Sequence, residues 1–227
     1  MFRFLTGGKK LPPFLEEYER RCALRVSGGT PLEQLHFVVF DTETTGLDLR
    51  SDRLLSFGGI AIRNLTMHLA DSLEIVVQQL DVSVQETADI HGILKSHADQ
   101  GMEPAVAVKE IIEFAGSAIL VGHHVDFDRK MLDKTLRQCY PGARLRNKVI
   151  DTAALALRVE HFNDDYVYKS GDYTLDALCE RYHLPVNDRH TAAGDAFITA
   201  QLFLKLLSRC RARKIRTYRQ LMGKVRF

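Results

Sequence analysis

Apolar positions fall into short unbroken runs in the first part of the chain and into helix-spaced sets thereafter. HFVVFD (36–41) reads as a buried strand, LLSFGGIAI (54–62) as a second and residues 66–77 as a third. The short connections, including Arg63-Asn64, predict that these three strands form an antiparallel meander. From about Thr87 the pattern turns helical, and AVAVKEIIEFAG (105–116) has helix spacing with Pro104 placed as a first-turn residue. AILVG (118–122) and KVIDT (148–152) read as short strands. FDRKMLDKTLRQCY (127–140) reads as a helix ended by Pro141-Gly142, and further helices are expected over 152–159, 174–183 and 192–209. Strands first, then alternating strand and helix, predict an α/β fold: a mixed sheet flanked by helices.

Residues 1–34 read as an N-terminal extension. They carry Gly7-Gly8, Pro12-Pro13 and Gly28-Gly29, with one helical stretch near FLEEYERRCAL. The chain of 227 residues is long enough for one well-buried domain, expected over 35–209, and too short for two. Apolar residues at 45% and charged residues at 26% are ordinary for a globular protein. No apolar run approaches the ~20 residues of a membrane span, so no membrane partner is expected. MFRFLTGGKK lacks the apolar stretch of a secretory signal, and a cytoplasmic location is the expectation. The four cysteines (Cys22, Cys139, Cys179 and Cys210) form no C-x-x-C pair, which argues for reduced structural thiols over a zinc site or disulfide framework.

Charge is unevenly spread. No acidic residue follows Asp195, and nine cations lie between Lys205 and Arg226. The first 204 residues carry 22 basic against 29 acidic residues, a net of −7. An acidic body followed by a basic tail, taken as 210–227, suits an enzyme that gathers cations at its site and touches phosphates elsewhere. A solvated, frayed terminus explains the tail equally well.

Three segments carry candidate chemistry. In FDTETTGL (40–47), Asp41 and Glu43 lie two apart on a strand, so both side chains share one face. Two such carboxylates repel unless a cation sits between them, and a hard divalent ion with oxygen ligands satisfies both. Thr44, Thr45 and Gly46 then turn the chain, Gly46 allowing close backbone approach to a ligand. In VGHHVDFDRKML (121–132), Asp126 and Asp128 are both candidates for a third carboxylate, Asp126 being equally suited to cap a helix. The tandem His123-His124 is a weak metal signal alone. In RHTAAGDAFITAQLFLKLL (189–207), Asp195 falls near a helix start and His190 lies five residues earlier. On one regular helix the two would point ~140° apart, so they converge only if His190 sits on the preceding loop. A loop histidine beside carboxylates is a candidate general base, its ordinary pKa of about 6.5 being near working pH. No GxxxxGK[ST] loop is present, which argues against P-loop nucleotide hydrolysis.

Together these motifs resemble the DEDD superfamily of 3′–5′ exonucleases, in the His-containing branch that includes the proofreading epsilon subunit of bacterial DNA polymerase III. The resemblance runs from about His36 to Leu207. Asp-x-Glu matches Asp41 and Glu43; His-x-x-x-Phe-Asp matches His123 to Asp128, selecting Asp128 over Asp126; His-x-x-x-x-Asp matches His190 and Asp195. The rival branch has Tyr four residues before the last Asp, where this chain has Thr191. IHGI (90–93), IDTAALA (150–156) and TLDALCERYHL (174–184) are weaker matches. Two departures stand out: His124 replaces the usual Asn of the second motif, and the leader and tail do not look like those of the polymerase-bound subunit.

The resemblance implies a ribonuclease-H-like fold with a five-stranded mixed sheet. It also implies two Mg²⁺ or Mn²⁺ ions held by Asp41, Glu43, Asp128 and Asp195, and His190 as base. Two ions roughly 3.5–4 Å apart activate water and stabilise the leaving 3′ oxygen. Thr42, Thr44, Thr45, Gly46, Leu47, His91 and His123 would contact the terminal nucleotide, with Leu47 packing on a base. The implied reaction releases nucleoside monophosphates from single-stranded DNA 3′ ends, with a DNA polymerase as the implied protein partner. The alternatives are an RNA-trimming exonuclease of the same superfamily and a catalytically silent nucleic-acid-binding module.

Overall fold

A mixed five-stranded sheet forms the centre of the computed structural model, which describes residues 10–79, 100–161 and 169–223. Its strands are β1 (Phe37–Thr44), β2 (Leu54–Arg63), β3 (Thr66–Val76), β4 (Ile119–Gly122) and β5 (Val149–Asp151). They lie in the order β3-β2-β1-β4-β5. The expected meander is present: β1 pairs antiparallel with β2 and β2 with β3. β4 then joins β1, and β5 joins β4, in parallel. The turn between β2 and β3 is Asn64-Leu65, not Arg63-Asn64, because Arg63 still pairs with Thr66. Both turn residues have positive φ, 51° and 56°, as a two-residue turn matched to strand twist requires.

Strand alternation sorts β1 between two layers. Phe37 and Val39 face α4 (Thr152–Glu160), α5 (Leu175–Tyr182) and the long α6 (Ala192–Ala212). Val38 and Phe40 face α2 (Pro104–Ala115) and α3 (Asp126–Cys139). The same alternation carried to the strand end points Asp41 and Glu43 to the α6 side and Thr42 to the α3 side. The expected fold class is therefore observed. Pro104 opens α2, as its missing N–H allows, and Glu103 caps that helix by accepting from Val106 N at 3.0 Å.

Leader and tail are built into the body. α1 (Pro13–Ala23) buries Leu15 and Tyr18 against Val108, Ile112 and Leu136. Residues 28–32 pair with 216–219 through Leu32 N to Arg216 O at 3.1 Å, Tyr218 N to Thr30 O at 2.8 Å and Arg219 N to Gly28 O at 3.0 Å. Ile215 and Leu221, the latter in α7 (Tyr218–Leu221), are buried in the main core. The boundary expected at 210 falls inside α6, which continues to Ala212 with Arg209 and Arg211 in its last turn. Cations there favour the negative end of the helix dipole, a reason for helix that apolar spacing does not show. Several tail cations are already engaged: Arg209 lies 4.6 Å over the Tyr182 ring and Arg211 sits 3.6 Å from Glu33. The 14 and 16 residues from Asp195 to Arg209 and Arg211 put their backbones ~21 Å and ~24 Å along the helix from Asp195.

All four cysteines are free, Cys179 and Cys210 being buried. Among the described residues, no helix is long and apolar enough to cross a membrane. The helix expected from Thr87, the IHGI segment and His91 lie outside the described residues.

Candidate active site

Three of the five expected catalytic positions converge at the carboxyl end of β1. Asp41, Glu43 and Asp195 each present an oxygen, and these oxygens lie within 4.8 Å of one another. Asp195 arrives from the first turn of α6 and is only 8% exposed. Its approach depends on two glycines. A Cβ at Gly58, which pairs with Asp41, would stand 2.3 Å from the Ala192 carbonyl carbon; one at Gly194 would stand 2.0 Å from the Asp188 carbonyl oxygen. Both positions place backbone against backbone with no room for a methyl. Gly194→Ala is therefore expected to destabilise by about 1–3 kcal/mol and to lower activity, as forced overpacking does. Unchanged melting and unchanged turnover of that variant would contradict this packing.

Asp128 comes from the first turn of α3, on the other side of β1. The Thr42 hydroxyl donates to its Oδ1 at 2.5 Å. Asp128 stands outside the 4.8 Å set, yet its charge acts on Asp41 and Glu43. Asp126 points away. It is exposed and paired with Arg129 at 2.9 Å and Lys130 at 2.5 Å, which hold its carboxyl below the usual range. Asp128 thus lies beside β1, bonded to Thr42, while Asp126 lies on the surface.

Burial, reinforced by the neighbouring carboxylates Asp128, Asp195 and Glu43, raises the Asp41 carboxyl well above its ordinary range. Burial and the charges of Asp195 and Asp128 push Glu43 up to about 7. Burial likewise pushes Asp128 up to about 6, against the lowering effect of the Thr42 hydroxyl. Without cations the cluster therefore holds protons that the unfolded chain would release near pH 4–5. A group that binds protons more tightly when folded stabilises the fold at low pH and loses that contribution as pH rises through its folded value. The cation-free protein should thus lose stability from about pH 4.5 to about 7, the window set by Glu43 and its unperturbed value. Divalent cations compete with those protons. Thermal unfolding with and without Mn²⁺ is expected to show a larger cation-induced rise in Tm at pH 8 than at pH 5.5; an equal rise at both would contradict the shared site.

Around this cluster the expected nucleotide-contacting residues divide. Thr42 is buried and its hydroxyl is given to Asp128, so it supports a carboxylate. The Thr44 hydroxyl donates to Gly46 O at 2.7 Å and that of Thr45 to Asp52 Oδ1 at 2.9 Å. Asp52 also accepts from Asp48 N at 2.7 Å, and its carboxylate fills the space beside Gly46. Leu47 stands at the tip of this braced loop, 85% exposed. His123 bonds Thr152 Oγ1 through Nδ1 at 2.9 Å, and burial with the adjacent His124 lowers it to about 4, so the ring is neutral at pH 7.

His190 is exposed on the loop before α6 and has φ of 64°. The residue before it is the main feature that motif spacing does not reveal. Arg189 donates through Nε to Asp176 Oδ1 at 2.8 Å and through a terminal nitrogen to Asp195 Oδ1. Asp151 is a second such residue. It caps α4 through Ala153 N and Ala154 N and accepts from Val125 N at 2.9 Å, holding the turn that leads to Asp128. Its place in IDTAALA, just before a helix, is the capping signal that points to it.

The fold is ribonuclease-H-like, and the carboxylates of Asp41, Glu43 and Asp195 at the end of its central strand form a candidate site for a divalent cation. The exonuclease family model (RNase_T) matches residues 38–203, and the chain belongs to that family. A DNA polymerase III subunit epsilon-like protein of Rhodobacter capsulatus is 31% identical over 201 residues, covering 87% of this chain and 27% of the relative. A PolC-type DNA polymerase III of Caldanaerobacter subterraneus is 31% identical over 174 residues, covering 76% and 12%. The chain thus spans about a quarter or less of the length of these relatives. Among solved structures, Escherichia coli exonuclease I in complex with a dT13 oligonucleotide shares the fold, with a TM-score of 0.65 and 17% identity over 80% of this chain and 43% of that one. Cell-death related nuclease 4 does so with a TM-score of 0.63 and 14% identity over 78% and 64%.

Proposed function

We propose that this chain is a metal-dependent 3′–5′ exonuclease that releases nucleoside monophosphates from DNA 3′ ends. The observation that carries the reading is the meeting of the Asp41, Glu43 and Asp195 oxygens within 4.8 Å, with Asp128 beside them. The donors are all carboxylate oxygens, packed closely enough to raise one another's proton affinity, and this chemistry fits Mg²⁺ or Mn²⁺. Asp41, Glu43, Asp128 and Asp195 would hold two ions, which when bound supply a charge-stabilised, water-activating centre for phosphodiester hydrolysis. His190, exposed on the loop before the helix that carries Asp195, would accept the proton of the attacking water. Thr42 fixes Asp128, and Asp52 braces the loop that presents Leu47.

DNA is favoured because the relatives are named for DNA polymerase III and exonuclease I is seen with a DNA oligonucleotide. The same names support a DNA polymerase as partner. Digestion of matched single-stranded DNA, mismatched duplex and RNA, each labelled at the 5′ end, is expected to shorten the single-stranded DNA fastest. Faster shortening of RNA would move the substrate to the RNA-trimming alternative, and no shortening of any polymer would favour the silent binding module. Leu47→Ala is expected to raise KM on single-stranded DNA about tenfold with kcat nearly unchanged, the effect of losing roughly 1.5 kcal/mol of apolar contact made equally in ground and transition states. An unchanged KM would remove Leu47 from the nucleotide site.

A further inference from the structure

The loop that carries His190 is held in a costly conformation. Asp188 and His190 both have left-handed backbone, φ 55° and 64°, and neither is glycine. Such residues persist only where the surroundings over-determine them. Part of the constraint is local: Thr191 Oγ1 donates to Asp188 O at 2.9 Å and accepts from Gly194 N at 3.1 Å. The rest comes from the residue between the two strained positions. The Arg189 side chain is 19% exposed and its guanidinium spans two elements, reaching Asp176 in the first turn of α5 and Asp195 in the first turn of α6. One of its terminal nitrogens donates to Oδ1 of Asp195, the carboxylate whose oxygen joins the Asp41 and Glu43 cluster.

We propose that Arg189 is a positioning residue for the reaction: its planar fork clamps the 188–190 loop between Asp176 and Asp195, and so sets His190 at the reach of a base while orienting the Asp195 carboxylate. The inference rests on the exonuclease reading above and on His190 as base. Charge alone does not account for the arrangement, since a point charge near the carboxylates would not need two bonds at fixed angles to two separate helices. A lysine at 189 keeps the charge and loses the fork.

The test is a double-variant cycle on the full chain, combining single-turnover rates on labelled single-stranded DNA with Mn²⁺ titration calorimetry. Arg189→Lys is expected to slow the chemical step about 10–100-fold, the usual effect of removing a residue that orients a ligand. Mn²⁺ affinity should change much less than the rate, because the local charge is kept. In the His190→Ala background the same substitution should cost less than about threefold, because residues acting as a unit are non-additive. Asp176→Asn, which removes only the exposed outer anchor, should lose rate in the same direction with unchanged melting. Full rate for Arg189→Lys, or an equal fractional loss with and without His190, would overturn the clamp while leaving the exonuclease reading intact. Full rate for His190→Ala would overturn the base reading, and the clamp with it.

Discussion

Asp195→Asn, Asp41→Asn, Glu43→Gln and Asp128→Asn are each expected to remove turnover while leaving the chain folded. Each change keeps the size of its side chain and removes one negative charge from a site whose oxygens meet within 4.8 Å or act on that meeting point. A bound cation contributes several kcal/mol of transition-state stabilisation, so losing a ligand should cost on the order of 10³-fold or more in kcat. For Asp41, Glu43 and Asp128 the fold should not suffer, because burial already works against their charged forms in the absence of cations. Relief of that repulsion should raise the melting temperature of the cation-free Asp41→Asn and Glu43→Gln chains slightly at pH 8. Among the four, Asp128→Asn tests the placement most sharply. Full activity in that variant would return the role to Asp126, whose pairing with Arg129 and Lys130 marks it instead as a surface residue.

The second large effect is expected from His190→Ala, a loss of about 10²–10⁴-fold in the chemical step, the usual contribution of a general base. Mn²⁺ binding should survive. His190 is exposed on the loop before α6, and the clustered oxygens of Asp41, Glu43 and Asp195 are carboxylates that can hold a cation without it. Stopped-flow single-turnover rates measured beside calorimetric Mn²⁺ titration separate the two roles. A variant that loses Mn²⁺ affinity but regains full rate at saturating Mn²⁺ would make His190 a ligand instead of a base.

Much of this site was legible because local periodicity carries it. Asp41 and Glu43 share a face for the same reason that Phe37 and Val39 do, so the apolar run that predicts the strand also aims the carboxylates. His190 and Asp195 could converge only across a loop-to-helix boundary, and Thr191 caps α6 at that boundary through Gly194 N. What stayed hidden depends on contacts between distant segments. Thr42 reads as a residue facing the nucleotide until α3 brings Asp128 to its hydroxyl from 86 positions away. Arg189 looks like one more loop cation until α5 supplies Asp176. The leader and tail read as appendages because each alone is polar and short of core, and only their pairing through Leu32, Arg216 and Tyr218 buries Ile215 and Leu221. Arg209 and Arg211, in the last turn of α6, lie most of a helix length from Asp195 in its first turn.

The measurement that bears most directly on the account follows single-stranded DNA labelled at its 5′ end in one tube and at its 3′ end in another, with Mn²⁺ or with excess chelator. With Mn²⁺, the 5′ label is expected to pass down a ladder of progressively shorter strands while the 3′ label appears at once as a mononucleotide. Chelator, or Asp195→Asn, is expected to stop both. Undiminished cleavage in chelator, or a mononucleotide released first from the 5′ label, would contradict the account.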